Sequence, residues 1–292
     1  MTYPSLSSAL VSEITSHGID IDYVTALIDR AFVEDLGEGD KTSIAVIDVQ
    51  QRSTAVLRAR KAGVVAGVCL AAATFELAGV TEYQRLLKSG SRVEPGQEIL
   101  TVAGNTRAIL RAERVALNLI SHLSGIATLT RAWVDEIEGT GTIIRDTRKT
   151  TPGLRHLEKF AVRMGGGMNH RMNLSDGAII KDNHIAAAGS ITAAVAKVRS
   201  QFPTLEIEVE VDNLTQLEEA LTLSVDVILL DNMDLAMTRT AVSLAKGSPT
   251  KLESSGGLTL ASAREYAETG VDFLAVGALT HSAPSLDIGL DF

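Results

Sequence analysis

The chain has 292 residues, 45% hydrophobic and 4% aromatic, with a net charge of −9. That length allows one large domain or two ordinary ones around an aliphatic, Ala- and Val-rich core. The acidic balance excludes a nonspecific nucleic-acid binder, which needs a basic domain, and no apolar run reaches the roughly 20 residues that span a bilayer.

The opening segment, MTYPSLSSALVSEITSHG, lacks the basic region and long apolar core of a secretory signal, so the chain reads as cytoplasmic. Asp20 is a helix cap, with Val24, Leu27, Ile28, Ala31 and Phe32 at i, i+3, i+4 spacing behind it. GEGDKT lacks the spacing of a phosphate loop and reads as a turn. Next come β-type runs, STAVLRARKAG, GVVAGV, RVEPGQEILTVAG and RAILRAE, with Pro95-Gly96 and Gly104-Asn105 as turns. The only cysteine, Cys69, lies in GVVAGVCLAAATF, has no partner for an internal disulfide, and reads as a buried small hydrophobe.

From about residue 113 the rhythm changes to alternating helix and strand. ERVALNLISHL and ATLTRAWVDEIEG form a helical region interrupted at Ser124-Gly125. Beyond it lie strand-like runs, each with a helix behind it: TIIRD, GAIIKD, LEIEVEVD, VDVILLD, KLESSGG and VDFLAVGAL. Thr151-Pro152 starts a helix that Gly165-Gly166-Gly167 ends, and Thr215 to Glu218 has capping-box spacing. Strand–helix units repeating at roughly 20 to 30 residues imply parallel strands. Charged or Gly-bearing groups end all six runs, which favours a β/α barrel over an open sheet with a single switch point.

Positive charge is concentrated in one stretch. Between Arg145 and His184 there are eight Lys and Arg residues against four acids, whereas the rest of the chain has 19 basic and 32 acidic residues. Arg, Lys and His gathered beside Gly-rich loops suit a small, highly charged anion, because the guanidinium fork donates two parallel hydrogen bonds to a carboxylate or phosphate. Arg155, Lys159 and Arg163 read instead as a solvated basic helix face. Arg148, Lys149, Arg171 and Lys181 fall in turns or at strand ends, and His170 sits between Asn169 and Arg171 in a Gly-rich turn. His184 is ambiguous.

ESSGG and VGAL, after the last two strand runs, have the form of a barrel phosphate site. By period two, Glu206, Glu208, Glu210 and Asp212 share one strand face. Glu210 and Asp212, with Asp231 on the next strand, suit Mg²⁺ or ribose hydroxyls, while the earlier acids suit salt bridges. No His or Cys spacing matches a zinc site.

In this order the residues resemble the quinolinate phosphoribosyltransferase family. The resemblance runs through RDTRKTTPGLR, GGGMNHRMNLSD, IIKDNH, EVEVD, ILLDN, LESSGG and VDFLAVGALTHS. It implies an α/β protein of the type II phosphoribosyltransferase kind. Residues 1–115 would form an N-terminal α/β sandwich, joined by the tail 278–292, and residues 116–277 an incomplete parallel α/β barrel. It implies a homodimer with the active site shared across the interface and Arg114 reaching the partner's substrate. Quinolinate's two carboxylates would meet Arg114, Arg148, His170 and Arg171, and Thr147 would also bind substrate. Lys149 and Lys181 would face phosphoribosyl pyrophosphate, and Glu210 and Asp231 would hold ribose hydroxyls and Mg²⁺. Ser255, Gly256, Gly277 and His281 would surround the 5′-phosphate. Lys149, Lys181, Glu210 and Asp231 would be catalytic. Three alternatives stand beside this reading: a sibling transferase acting on nicotinate without decarboxylation, a Schiff-base aldolase using Lys181, and a non-catalytic anion binder.

Overall fold

The structure, a computed structural model, describes residues 5–292. Helices α1 (Ser8–Ser16), α2 (Ile21–Leu36) and α3 (Lys41–Val46) lead into β1 (Arg52–Ala59) and β2 (Gly63–Val64). Next come α4 (Val68–Leu77), β3 (Glu82–Arg85), β4 (Arg92–Val93) and β5 (Glu98–Asn105), then the long helix α5 (Thr106–Glu136). The alternating part comprises β6 (Ile143–Arg145), α6 (Arg155–Met164), β7 (Ala178–Ile180), α7 (Asp182–Ala188) and α8 (Ile191–Gln201). It continues with β8 (Ile207–Val211), α9 (Leu214–Thr222), β9 (Val227–Asp231), α10 (Leu235–Leu244) and β10 (Lys251–Ser255). The chain closes with α11 (Leu260–Ala267), β11 (Phe273–Ala275), α12 (Ala278–His281) and β12 (Ile288–Asp291). Among the described residues no helix is long and apolar enough to cross a membrane.

There are two compact units. The first gathers the described residues up to Leu129, His156–Gly166 and Ser282–Phe292; the second is Thr130–Arg155 with Gly167–His281. The sequence reading divides the chain at 115 and 277. The difference in the middle has a local cause, because α6 brings ring contacts with it: Phe160 lies 4.8 Å from His17 and His156 lies 5.6 Å from Tyr23.

In the first unit an antiparallel sheet runs β12-β1-β5-β3, beside the small pair β2-β4. Asp20 caps α2 as expected, its carboxylate accepting from Tyr23 N–H at 2.8 Å. Every residue of α4 is buried, and its two polar side chains are satisfied there: Thr74 Oγ1 donates to Leu70 O at 2.9 Å and Glu76 accepts from the Tyr83 hydroxyl at 3.1 Å. Cys69 lies within it, and burial pushes its thiol up to about 11.

Four expectations are corrected in this unit. RAILRAE lies in the first two turns of α5 and is not a strand, because the Asn105 side chain accepts from Ala108 N–H and starts the helix there. The helix continues through Ser124-Gly125. Ser124 Oγ accepts from Ala66 N–H at 2.9 Å, and a Cβ on Gly125 would lie 2.2 Å from Pro284 O, so the pair allows a close approach between segments. The basic face of α6 is not solvated: Lys159 is fully buried, and Arg163 donates to His17 O at 2.6 Å. GEGDKT is only partly a turn, since Asp40 accepts from Ser43 N–H and begins α3.

The second unit is a six-stranded sheet, all parallel, in the order β6-β11-β10-β9-β8-β7. All six strand runs read from the sequence are present, and β6 and β7 are its two ends, which makes it an incomplete barrel. Asn213, two residues before Thr215, caps α9 by accepting from Gln216 N–H. Arg155 also leaves its expected solvated face, donating to Thr150 Oγ1 at 3.0 Å and Met172 O at 3.1 Å.

Candidate active site

Paired residues on neighbouring parallel strands present their side chains to the same face. The register joins Ile143, Phe273, Glu253, Leu229 and Glu210 in one row, Arg145, Ala275, Ser255 and Asp231 in the next, and Lys251, Val227, Glu208 and Ile179 in a third. One face of the sheet thus carries Arg145, Glu208, Glu210, Asp231, Glu253 and Ser255. The other carries Ile144, Leu274, Leu252, Leu230 and Val209, and helices α8, α9 and α11 pack against their strands. Helices cover the apolar face, so the charged face is the inside of the barrel.

Charge inside a barrel needs partners. Arg145 Nη1 donates to Glu253 Oε2 at 2.7 Å, and its guanidinium stacks 4.6 Å from the Phe273 ring. His170 Nε2 lies 2.8 Å from Glu208 Oε2 and 3.5 Å from Glu253 Oε1. Burial, then the Glu208 charge, pushes the Glu253 carboxyl up to about 7.

His170 arrives there on a segment that continues the sheet past β6. Met168 pairs with Arg145, and Asp146 anchors the two residues after Met168, accepting from Asn169 Nδ2 at 2.6 Å and His170 N–H at 2.8 Å. The sequence reading gives His170 an anion contact; the structure turns its Nε2 to two carboxylates instead. Arg171, next in the chain, donates through Nη1 to Gly177 O at 2.6 Å. Burial, and then the nearby Arg148 guanidinium, pull the Arg171 pKa below its ordinary value. The Nε atoms of both Arg148 and Arg171 are buried and lack a hydrogen-bond partner. Two guanidiniums held together with donors unsatisfied form a receptor for a group carrying two negative charges.

Lys181 directly follows β7 and forms an ion pair with Glu210. Asp231 ends β9 and accepts from Asn232 Nδ2 at 2.8 Å. Asn232 has a positive φ of 52° and donates its N–H to Ser255 O, which ties the exits of β9 and β10 together. His184 proves to be a helix cap, its Nδ1 accepting from Lys181 N–H at 3.0 Å.

The two glycine loops follow neighbouring strands, β10 and β11, where Ser255 pairs with Ala275. Gly256 has φ +87° and a Cβ there would meet Asn232 Oδ1 at 2.2 Å. A Cβ on Gly277 would lie 3.1 Å from Lys149 Cδ and 3.2 Å from His281 Nε2, so these three residues meet at one point. Thr280 Oγ1 donates to Lys149 O at 2.8 Å and fixes the Lys149 backbone. Thr147 Oγ1 accepts from Lys149 N–H at 3.0 Å in the same turn.

A cavity of about 970 Å³ also lies in this unit. His170, Arg171 and Glu208 line it together with Glu206, Asp226 and Lys251 near the amino ends of the strands, but Lys149, Lys181, Glu210 and Asp231 do not. The residues suited to anion chemistry are at the carboxyl ends, where barrel sites form, so we place the site there. Arg114 belongs to the first unit, exposed on α5 beside a recess of about 450 Å³ that Asn118, Ser121 and Asp287 also line.

Sequence reasoning found most of these residues but assigned no role to Glu253 or Asp146. The available signal was a charged residue inside a run otherwise apolar enough for a buried parallel strand.

Known proteins resemble the chain along nearly its whole length. The family model described as quinolinate phosphoribosyl transferase, C-terminal domain, matches residues 126–291, and the corresponding N-terminal domain matches residues 40–124. The chain is 50% identical over 278 residues to the nicotinate-nucleotide pyrophosphorylase [carboxylating] of Mycobacterium leprae, covering 93% of this chain and 98% of that one. It is 46% identical over 267 residues to a probable nicotinate-nucleotide pyrophosphorylase [carboxylating] of Synechocystis sp., covering 90% of each. The solved structure of NadC from Streptococcus pyogenes superposes with a TM-score of 0.90 at 39% identity, over 94% of this chain and 97% of that one.

Proposed function

The chain belongs to the quinolinate phosphoribosyltransferase family, and we propose that the carboxyl-end cluster described above is where it performs that family's reaction. The enzyme transfers phosphoribosyl from phosphoribosyl pyrophosphate to quinolinate with decarboxylation, yielding nicotinate mononucleotide, pyrophosphate and CO₂ in NAD biosynthesis. The observation that carries the site assignment is the pairing of Arg148 with Arg171, both with a buried, unsatisfied Nε.

Quinolinate's two carboxylates are bound by Arg148 and Arg171, with Thr147 in the same turn and His170 behind Arg171. The pyridine nitrogen attacks C1 of the ribose as the bond to pyrophosphate breaks, through a transition state with oxocarbenium character. Bringing two anions together costs several kcal/mol, and each charge-assisted hydrogen bond offsets roughly 1.5–3 kcal/mol of it. Lys149 and Lys181 neutralise the pyrophosphate as it leaves. Glu210 and Asp231 face the positive charge that develops on the ribose and hold its hydroxyls. In the free enzyme the Lys181–Glu210 ion pair keeps both charges satisfied, and substrate exchanges that pair for new partners. Ser255, Gly256, Gly277 and His281 surround the 5′-phosphate. Once the ring nitrogen is quaternary, the adjacent carboxylate leaves as CO₂, and the electron pair it leaves beside N⁺ is protonated.

Glu210 and Asp231 are oxygen donors on neighbouring strands, a set that suits a hard cation, and Mg²⁺ held by them would add charge neutralisation at the pyrophosphate. Arg114, exposed on α5, reaches the substrate of a second copy, so the working enzyme is a homodimer. The acidic net charge and the soluble substrates fit a cytoplasmic enzyme independent of nucleic acid and membrane. The aldolase alternative is disfavoured because Lys181 is half-exposed and paired with a carboxylate, whereas a Schiff-base amine needs desolvation or a neighbouring cation.

The test is one assay with quinolinate, phosphoribosyl pyrophosphate and Mg²⁺, following nicotinate mononucleotide and CO₂ together. Equal amounts of both are expected. Nucleotide formed from nicotinate, without CO₂, would replace this reading with the sibling transferase.

A further inference from the structure

We infer that Glu208 is a positioning residue for the quinolinate clamp: it acts through the His170 ring on Arg171. The inference rests on the reading that Arg171 binds a substrate carboxylate.

The two ring nitrogens of His170 face opposite kinds of group. Nδ1 accepts the Arg171 backbone N–H at 2.7 Å. A nitrogen that accepts a hydrogen bond carries no proton, so the ring proton belongs on Nε2. Nε2 then donates to Glu208 Oε2 at 2.8 Å, with Glu253 Oε1 behind it at 3.5 Å. One imidazole thus links a buried carboxylate to the main chain of the arginine.

This placement decides between two uses of the cluster. Among the described residues, His170, Glu208 and Glu253 are close enough to share a metal ion, with ligand atoms within 4.8 Å of one another. A metal-binding imidazole presents a bare nitrogen to the ion and donates its other N–H to an acceptor. Here the far nitrogen meets a donor, and the near one bears the hydrogen. The arrangement orients a ring and does not coordinate an ion.

Each neighbouring link is held as well. Asp146 fixes the backbone of His170, leaving the ring as the part Glu208 controls. Glu208 is 4% exposed, and its Oε1 has no hydrogen-bond partner, so it is held at a buried position that an apolar residue would fill at less cost. Its negative charge also acts on the Arg171 guanidinium, opposite in sign to the repulsion from Arg148. Glu208 therefore sets the Arg171 main chain through His170 and offsets the crowding of two like charges before substrate arrives.

The experiment uses the full-length enzyme and the variants Glu208→Ala, Glu208→Gln and Arg171→Ala, with KM for both substrates and kcat measured separately. Glu208→Ala should raise the quinolinate KM by roughly tenfold or more, the worth of one charge-assisted hydrogen bond, and leave the phosphoribosyl pyrophosphate KM nearly unchanged. Glu208→Gln retains an acceptor for Nε2 but lacks the charge, so it should fall between Ala and wild type. It remains informative if the alanine variant fails to fold. Nitrogen-15 NMR of histidine-labelled enzyme should show His170 with its proton on Nε2. A proton on Nδ1 would overturn the inference, as would an unchanged quinolinate KM in both Glu208 variants while Arg171→Ala raises it. An unchanged KM in Arg171→Ala would instead remove the clamp reading, and this inference with it.

Discussion

Arg145 and Glu253 form an ion pair 2.7 Å long in which the carboxylate side chain is fully buried and the guanidinium 8% exposed. The pair lies beneath His170, so it holds up the floor of the proposed site. Arg145→Ala leaves two buried acids, Glu208 and Glu253, with less positive charge than they need. Loss of one partner of a buried pair should lower unfolding free energy by about 3–5 kcal/mol, read as a lower urea midpoint at constant m-value.

Glu253 also gives stability a pH dependence. Its pKa is raised from an ordinary 4.5 to about 7 in the folded state, so the fold retains a proton that the unfolded chain has already lost. The contribution is fully present below about pH 4.5 and is lost as pH rises through 7, on the order of 3 kcal/mol in all. Denaturation midpoints measured across that window should show the slope in wild type, and Glu253→Gln should remove it.

At Gly277 the limit is space. An added methyl would press on Lys149 Cδ at 3.1 Å and on His281 Nε2 at 3.2 Å, both mobile ends of side chains that can shift. Gly277→Ala should therefore fold normally but bind phosphoribosyl pyrophosphate more weakly, by roughly tenfold for each charge-assisted contact displaced. Steady-state KM values with unchanged thermal stability are the check.

Arg148→Lys keeps the charge and removes the planar fork. If two parallel hydrogen bonds to a carboxylate are what the position supplies, the lysine variant should still raise the quinolinate KM by about tenfold or more. Isothermal titration with quinolinate would measure it directly.

Gly125→Ala tests packing alone. The new Cβ would meet Pro284 O at 2.2 Å, backbone against backbone, so neither side can yield cheaply. Destabilisation of about 1–3 kcal/mol or more is expected, visible as a lower melting temperature.

What the sequence revealed and what it concealed have a common cause. The six parallel strands were legible because each is a short apolar run ending in a charged or glycine residue. The Asp20 cap was legible because its signal is local. RAILRAE was not, since a short apolar run fits helix and strand equally until the Asn105 cap is seen. Ser124-Gly125 looked like an interruption because its partners, Ala66 and Pro284, are far away in the chain. Lys159 looked solvated for the same reason. At the site, residue types named the anion chemistry, but the destination of His170 depends on a register that brings Glu208 and Glu253 to one face, which no single segment encodes.

The closing strand β12 has a consequence for synthesis. Ile288 to Asp291 pair with Val56 to Ala59, so the outer strand of the first unit's sheet is translated long after the strand it joins, with the whole second unit between them. With translation running at roughly 5–20 residues per second, β1 waits with one edge bare while everything between it and β12 is made. The unit that begins first is finished last, and during that interval its uncovered edge is the place where a nascent chain of this protein would be captured by a chaperone or would pair with a neighbour.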